Sequence, residues 1–540
     1  MMTVAELIIA DAHARGLRHF FGLPGGGFPL DLLDAGRRFG VDFVSTSHES
    51  SAAIMAAYYG VLKQTAGLAL SVRGVGAGNL LGGVVNAHFE RVPVVAVCET
   101  VPTSMAAYPS VQYCDQLSCY QGICKYAAAV SKEDAAAQIQ ASVYHSLEGR
   151  PGPTLLNVPA DLNQTAWDAP LSSKPVASPS PASSAQIALA RTFLGGKKRL
   201  VVIAGADVIR AGATEELREL VESLEAVVLV TMDARGVFPE HHRRWAGVLV
   251  GSFNPNIIES KVLAKADGVL VVGADAMMTH VAWNVNLPVC ELSARSEYAA
   301  LSVHPELRVD GELRSSLRAM GDLNQQGFPL EEIQALRRDI LFYFKRPGQA
   351  RLAAQDVIEI VRRILPPEGI LFSETGAFVC MLEHIWSVEH PGTYYGTSGG
   401  RTMGLMLPAI LGARLAEQKR PMVGIGADGS LLMRLGELEV LKRSGVAVPL
   451  VILNDQALGT MKSRQKSRGM PDYGLDFSPV DFAAIARACG LQGVQVDRPE
   501  ALEKELQRAM VSSTSTLIDA RVDSQIYQDS FGPTIGVMSP

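Results

Sequence analysis

Residues 422–455 read as one β-α-β unit with an acidic residue at each strand end, and few folds accommodate that pattern. An apolar run at 422–425 leads into Gly426-Ala427-Asp428-Gly429-Ser430, and a helix-like segment follows at 431–444. A second apolar run, 448–453, delivers Asn454-Asp455, 26 and 27 residues beyond Asp428. Parallel strands joined by a crossover helix end on the same edge of the sheet, at the carboxyl ends where ligands bind. The spacing therefore predicts that Asp428 and one of Asn454 and Asp455 meet there, beside a Gly-Ser turn. Hard oxygen ligands next to exposed backbone amides at a helix start suit a divalent cation holding a diphosphate. Either dipeptide alone reads as a surface turn; the two within one frame read as a site.

The same strand–helix alternation runs through the whole chain. At 540 residues the chain is long enough for roughly three domains. The segment 169–186 is rich in Pro, Ser and Ala and reads as an exposed linker. Before it, apolar runs such as 68–72 and 92–97 alternate with helix-like stretches, giving a first domain over 1–168. After it, three buried-strand runs give a middle domain over 187–325. A charged, amphipathic connection at 326–350 leads into a third domain, 351–540. The expected fold class is α/β, with three doubly wound parallel-sheet domains.

Charge and cysteine usage narrow the function classes. A net charge of −6 and a pI near 6.0 give no basis for binding nucleic acid or an anionic membrane. No apolar run reaches the ~18 residues needed to cross a bilayer, and the first residues lack the basic lead of a secretory peptide. The seven cysteines include no CxxC pair and are odd in number, which favours reduced thiols and a cytoplasmic location. Cys114, Cys119 and Cys124 recur every five residues, a step of ~140° around a helix that spreads them over different faces. They read as ordinary thiols rather than metal ligands.

Further passages carry chemistry-bearing residues. The turn in FFGLPGGGFPLDLL supplies Gly25, Gly26 and Gly27 before a helix. Glu49, in His48-Glu49-Ser50-Ser51-Ala52, stands where the helix dipole favours a carboxylate. Downstream, SVRGVGAGNLLGG contains Gly74, Gly76 and Asn79. The third domain adds Ser373-Glu374-Thr375-Gly376-Ala377 and Gly400-Arg401-Thr402-Met403-Gly404.

Together these passages resemble the thiamine diphosphate-dependent superfamily of acetolactate synthase, pyruvate decarboxylase and benzoylformate decarboxylase. Its metal signature usually reads Gly-Asp-Gly-Ser and ends in Asn-Asn; here Ala427 replaces the first Gly and Asp455 the last Asn. The resemblance implies thiamine diphosphate and Mg²⁺ as cofactors, the cation held by Asp428, Asp455 and the carbonyl of Ala457, with Asn454 the alternative to Asp455. It places Glu374, Thr375, Gly376, Gly429 and Ser430 on the diphosphate side. The carbonyls of Arg401 and Met403 would accept from the pyrimidine, and Met403 would wedge between the cofactor's two rings. Glu49 would share a proton with the pyrimidine ring, so that the cofactor's own imino group can deprotonate the thiazolium carbon, and Asn79, in a passage similar to the family's Gly-Pro-Gly-Ala-Thr-Asn, would also bind the cofactor.

Departures from the decarboxylases define the expected chemistry. Gly26 occupies the turn where those enzymes carry an acid or Ser, and Met461 stands where they carry a Glu beside the cofactor. The loop around Gln112 has no His. The pattern is most similar to acetolactate synthase, where Gln112 would hydrogen-bond the acceptor carbonyl. The resemblance thus implies a carboligase or lyase acting on 2-oxo acids through an enamine, with a non-oxidative decarboxylase releasing aldehyde as the alternative. Residues 268–280 lack the Arg and paired Asp of the family's FAD-binding passage, so FAD is not expected. Arg464 takes the slot of the substrate-selecting Trp and is a candidate clamp for an anionic substrate group. In the family the first and third domains meet across a subunit boundary, which implies a homodimer or homotetramer.

Overall fold

The computed structural model describes residues 1–540 except 163–164, 168–175, 177, 252–255, 281–282, 284–285, 302–303, 322, 324–326, 345–350 and 524–540. Parts of the expected linkers at 169–186 and 326–350 therefore lie outside the described residues. Within them, helix Ser184–Gly195 starts from a Ser183 capping box, and Leu330–Tyr343 is a helix of 14 residues.

Three six-stranded sheets, each parallel throughout, form the three units expected from the strand–helix alternation. Counted in chain order within each sheet, the strands of the first and third sheets run 2-1-3-4-6-5, and those of the middle sheet 3-2-1-4-5-6. The central strands are buried on both faces, as in Val94–Thr100, Leu200–Ala204 and Pro449–Asn454, which is why they read as continuous apolar runs rather than alternating ones. Helices cover both faces of each sheet. A typical one, Phe28–Phe39, has Pro in its first turn and ends at Gly40 in the left-handed region, φ +70°.

The first and third domains pack directly through helices Glu49–Leu62 and Met406–Ala416. A Cβ on Gly412 would lie 2.2 Å from the Met55 carbonyl oxygen, so this helix crossing needs glycine. Polar contacts tie the same two domains: Ser47 Oγ donates to Glu437 Oε1 at 2.5 Å, and Arg434 Nη1 donates to Ser50 Oγ at 2.8 Å. These contacts explain one departure from the sequence reading. The segment 431–444 was expected as a single helix, but it breaks between Asp428–Leu432 and Glu437–Arg443. In the break, Arg434 turns back to the Gly404 carbonyl and Gly436 approaches Ser47 too closely for a side chain.

Candidate functional site

In the third sheet, strands Ile370–Ser373, Met422–Ala427 and Pro449–Asn454 lie side by side and in register, Ser373 opposite Ile425 and Ala427 opposite Leu453. The chain reverses strand order between the first two, and such switch points open a crevice beyond the carboxyl ends. A cavity of about 440 Å³ lies there, between the third and middle domains. It is lined by Thr375, Gly376, Arg401, Met403, Asp428, Gly429, Ser430, Asp455, Ala457, Met461 and Arg464, all expected site residues.

The two acidic residues meet as the spacing predicts. Asp428 Oδ1 accepts from the Gly429 amide at 2.7 Å and Oδ2 from the Gln456 amide at 2.7 Å. That second bond fixes the turn carrying Ala457, in which Gln456 takes a positive φ of 59°. Burial pushes the Asp428 carboxyl up to about 6; burial and then the Asp428 charge push Asp455 up to about 7. Two carboxylates held together out of water call for a cation. Asn454 takes no part in the cavity wall: its Nδ2 donates to Asp519 Oδ1 at 2.8 Å. Among the described residues no group of three or more His, Cys, Asp or Glu could hold a metal, so a cation here needs backbone and ligand oxygens as well. Ser430 Oγ is buried and has no protein partner, an orphaned donor at the start of a helix. Carboxylate pair, orphaned hydroxyl and bare glycines fit a divalent cation with a diphosphate.

Glu374 departs from the expectation. Its carboxylate faces the domain interior, accepting from the Met406 amide at 3.2 Å and the Ala427 amide at 3.1 Å, and it does not line the cavity. It fastens two site-bearing segments together; its neighbours Thr375 and Gly376 reach the cavity in its place.

The first-domain candidates lie elsewhere. Glu49 begins helix Glu49–Leu62 after the N-cap His48, and its Oε2 accepts from Asn79 Nδ2 at 3.1 Å. A Cβ on Gly76 would lie 3.3 Å from Glu49 Oε1, so the glycine leaves that carboxylate open. Gly26 is exposed with open space around it, and Gln112 is exposed at φ +61°. None of Glu49, Asn79, Gly26 and Gln112 lines the cavity.

Several residues of the cavity and its surroundings carried no sequence signal. Cys380, Glu383 and His384 come from the helix Val379–Ile385, and His280 comes from the middle domain. Burial holds His280 and His384 down to about 4 and pushes the Cys380 thiol up to about 12. Gln116, four residues after Gln112, is the buried amide of that loop: it accepts from the Gly74 amide at 3.1 Å and donates to Asn157 Oδ1 at 2.8 Å. Near the Gly-rich turn, Glu99 pairs with Arg73 at 3.0 Å. None of these belongs to a local motif, since each is recruited by contacts distant in sequence.

Comparison with known proteins agrees with this architecture domain by domain. Residues 2–119 match the thiamine pyrophosphate enzyme N-terminal TPP binding domain, 187–320 the central domain and 374–520 the C-terminal TPP binding domain. The chain is 27% identical over 551 aligned residues to the acetolactate synthase isozyme 3 large subunit of Escherichia coli K12, covering 97% of this chain and 95% of that protein. It is 25% identical to a probable acetolactate synthase large subunit of Methanocaldococcus jannaschii, covering 97% and 92%. Against the catabolic acetolactate synthase of Raoultella terrigena the identity is 26%, covering 97% and 95%.

Proposed function

Because this chain belongs to the thiamine pyrophosphate enzyme family, we propose that it is a thiamine diphosphate- and Mg²⁺-dependent carboligase acting on 2-oxo acids. The observation that carries the reading is the convergence of Asp428, Asp455, Ser430 and bare glycines on one cavity at the carboxyl edge of the third sheet. In this reading Asp428, Asp455 and the Ala457 carbonyl hold the cation, and Gly376, Gly429 and Ser430 face the diphosphate. Met403 and the backbone of Arg401, which line the cavity, would hold the organic part of the cofactor. When bound there, the cofactor would supply a carbon nucleophile and an electron sink for 2-oxo acid chemistry. The chain would support this through the Glu49 carboxyl group, which Asn79 orients.

The proton inventory of the cavity favours carbon–carbon bond formation over release of aldehyde. His280 and His384 are held neutral, the Cys380 thiol is a very weak acid, and Glu383 is tied to Arg401 at 3.1 Å. With Asp428 and Asp455 assigned to the cation, the cavity offers no other poised acid, which lets a second carbonyl compete with protonation. Gln112 would orient that acceptor.

Glu49, Asn79, Gly26 and Gln112 stand outside the cavity of their own chain, so the complete site takes them from a second copy. Exposed apolar side chains near them, Val75, Tyr108, Val111 and Tyr113, supply a surface for it. The reading therefore includes at least a homodimer, with domains at 1–168, 187–325 and 351–540. A fully active monomer in light scattering would refute that assembly.

Incubation with a panel of 2-oxo acids, with acyloin and aldehyde both quantified, tests the reaction. Acyloin is expected; aldehyde alone would assign a decarboxylase. Calorimetric titration of thiamine diphosphate at millimolar Mg²⁺ tests the cofactor: binding is expected, and Asp428→Ala should abolish it.

A further inference from the structure

The end of the cavity that faces the middle domain has a composition that cofactor binding does not account for. Arg401 projects into it from a backbone conformation that side chains seldom adopt, φ +44°. The first domain holds that conformation from both sides. Glu90 accepts from the Ser398 amide at 2.8 Å and the Gly400 amide at 3.0 Å, and Asn86 Nδ2 donates to Thr402 Oγ1 at 2.9 Å. A strained residue so firmly fixed points to a role for its side chain.

The guanidinium of Arg401 is only partly satisfied. Nη1 donates to Glu383 Oε1 at 3.1 Å and Nη2 to His280 Nε2 at 3.0 Å and Met232 Sδ at 2.6 Å, while Nε is buried with no partner among the described residues. Arg464, on the helix Gly459–Ser467, lines the same cavity. Burial first, then the charges of Arg401 and Arg464, keep His280 neutral, so this imidazole accepts from Arg401 rather than adding charge of its own. Arg401 and Arg464 also both act on Cys380. Among the described residues, two guanidiniums and one carboxylate, Glu383, line this end; the other lining carboxylates, Asp428 and Asp455, are the candidate cation ligands.

We propose that Arg401 and Arg464, with His280, form a subsite for a second anionic group, a carboxylate, sulfonate or phosphonate, at the end of the 2-oxo acid remote from its carbonyl. The inference rests on the 2-oxo acid reading above. Guanidinium forks match such groups through paired charge-assisted hydrogen bonds. The carboxylate lost as CO₂ is the poorer occupant. A cation bound to it stabilises the substrate more than the transition state, in which that charge is leaving, and so slows the reaction. A distal anion keeps its charge throughout, so binding it assists capture without penalising chemistry.

The test uses the protein loaded with thiamine diphosphate and Mg²⁺. Initial rates with 2-oxobutanedioate and 2-oxopentanedioate are compared with those for 2-oxobutanoate and 2-oxopentanoate, which end in a methyl group. Wild type should prefer the dicarboxylates in kcat/KM, mainly through KM. That preference should fall on the order of 10- to 100-fold in Arg401→Gly, which suits the positive φ, and in Arg464→Gln, as expected for one lost charge-assisted contact. Arg401→Lys should restore part of it. Calorimetric titration with pentanedioate against pentanoate, neither of which can react, reads the subsite independently of turnover. Tighter binding of the dianion, lost in both variants, supports the subsite even if no 2-oxo acid is consumed; that combination would instead overturn the carboligase reading. No preference for the dianion in either measurement, or equal losses for both kinds of ligand in the variants, overturns the subsite.

Discussion

Replacing Glu374 tests whether its carboxylate acts as a fastener rather than as a cofactor ligand. It is 2% exposed and satisfies the amides of Met406 and Ala427, one at the start of a helix, the other beside Asp428. Glu374→Ala leaves both amides buried without an acceptor, at about 1–3 kcal/mol each, or roughly 2–6 kcal/mol in all. Urea unfolding of the cofactor-free protein near pH 7 measures this directly. Burial raises the carboxyl from 4.5 to about 7, against the opposing pull of its backbone amides. The sign follows from linkage. The folded state keeps a proton that the unfolded chain releases, so the contribution is fully present below pH 4.5. It is lost as pH rises to about 7, by roughly 3 kcal/mol. Glu374→Gln cannot ionise and keeps one acceptor, so its deficit relative to wild type should be largest near pH 5 and shrink towards pH 8. Glu374→Ala within 0.5 kcal/mol of wild type (about the spread of neutral surface changes), or a Gln deficit unchanged between pH 5 and 8, would show that the carboxylate is no fastener.

Four further outcomes are expected. Glu90, buried and pushed up to about 7, should likewise lose its stabilising contribution as pH rises from 4.5 to about 7, and Glu90→Gln should flatten that limb in thermal melts. Gly412→Ala drives a Cβ against the Met55 backbone and should cost about 1–3 kcal/mol in chemical denaturation, with the helix Glu49–Leu62 displaced in a crystal structure. Glu240 pairs with the buried Arg235 and accepts from the Val388 amide, so Glu240→Ala should cost about 3–5 kcal/mol by loosening the middle domain from the third. Glu49→Gln should leave thiamine diphosphate binding largely intact in calorimetry while strongly suppressing C2–H exchange followed by NMR; unchanged exchange would remove Glu49 from the proton relay.

Features with a local signal are legible in the amino-acid order alone. Continuous apolar runs separated by helix-like stretches specify parallel strands with crossover helices, because a strand buried on both faces cannot alternate. The 27-residue step from Asp428 to Asp455 specifies where those acids meet, because parallel strands end on one edge. Thr375, Gly376, Met403 and Ala457 are legible only through the family resemblance, and the fold brings them with Ser430 to one cavity. Other features depend on contacts between residues far apart in the chain. The guanidinium of Arg401 meets His280 across 121 residues, and its φ of +44° is imposed by Glu90, which holds Gly400 from 310 residues away. Glu374 turns inward because two amides from separate segments converge on it, and Asn454 turns away to Asp519. The helix expected at 431–444 breaks where the first domain presses on Gly436. Local pattern sets which strand carries a residue and which edge it reaches; the direction of a buried polar side chain is set by whichever partner saves it from being left unsatisfied, and that partner is chosen only when the domains pack.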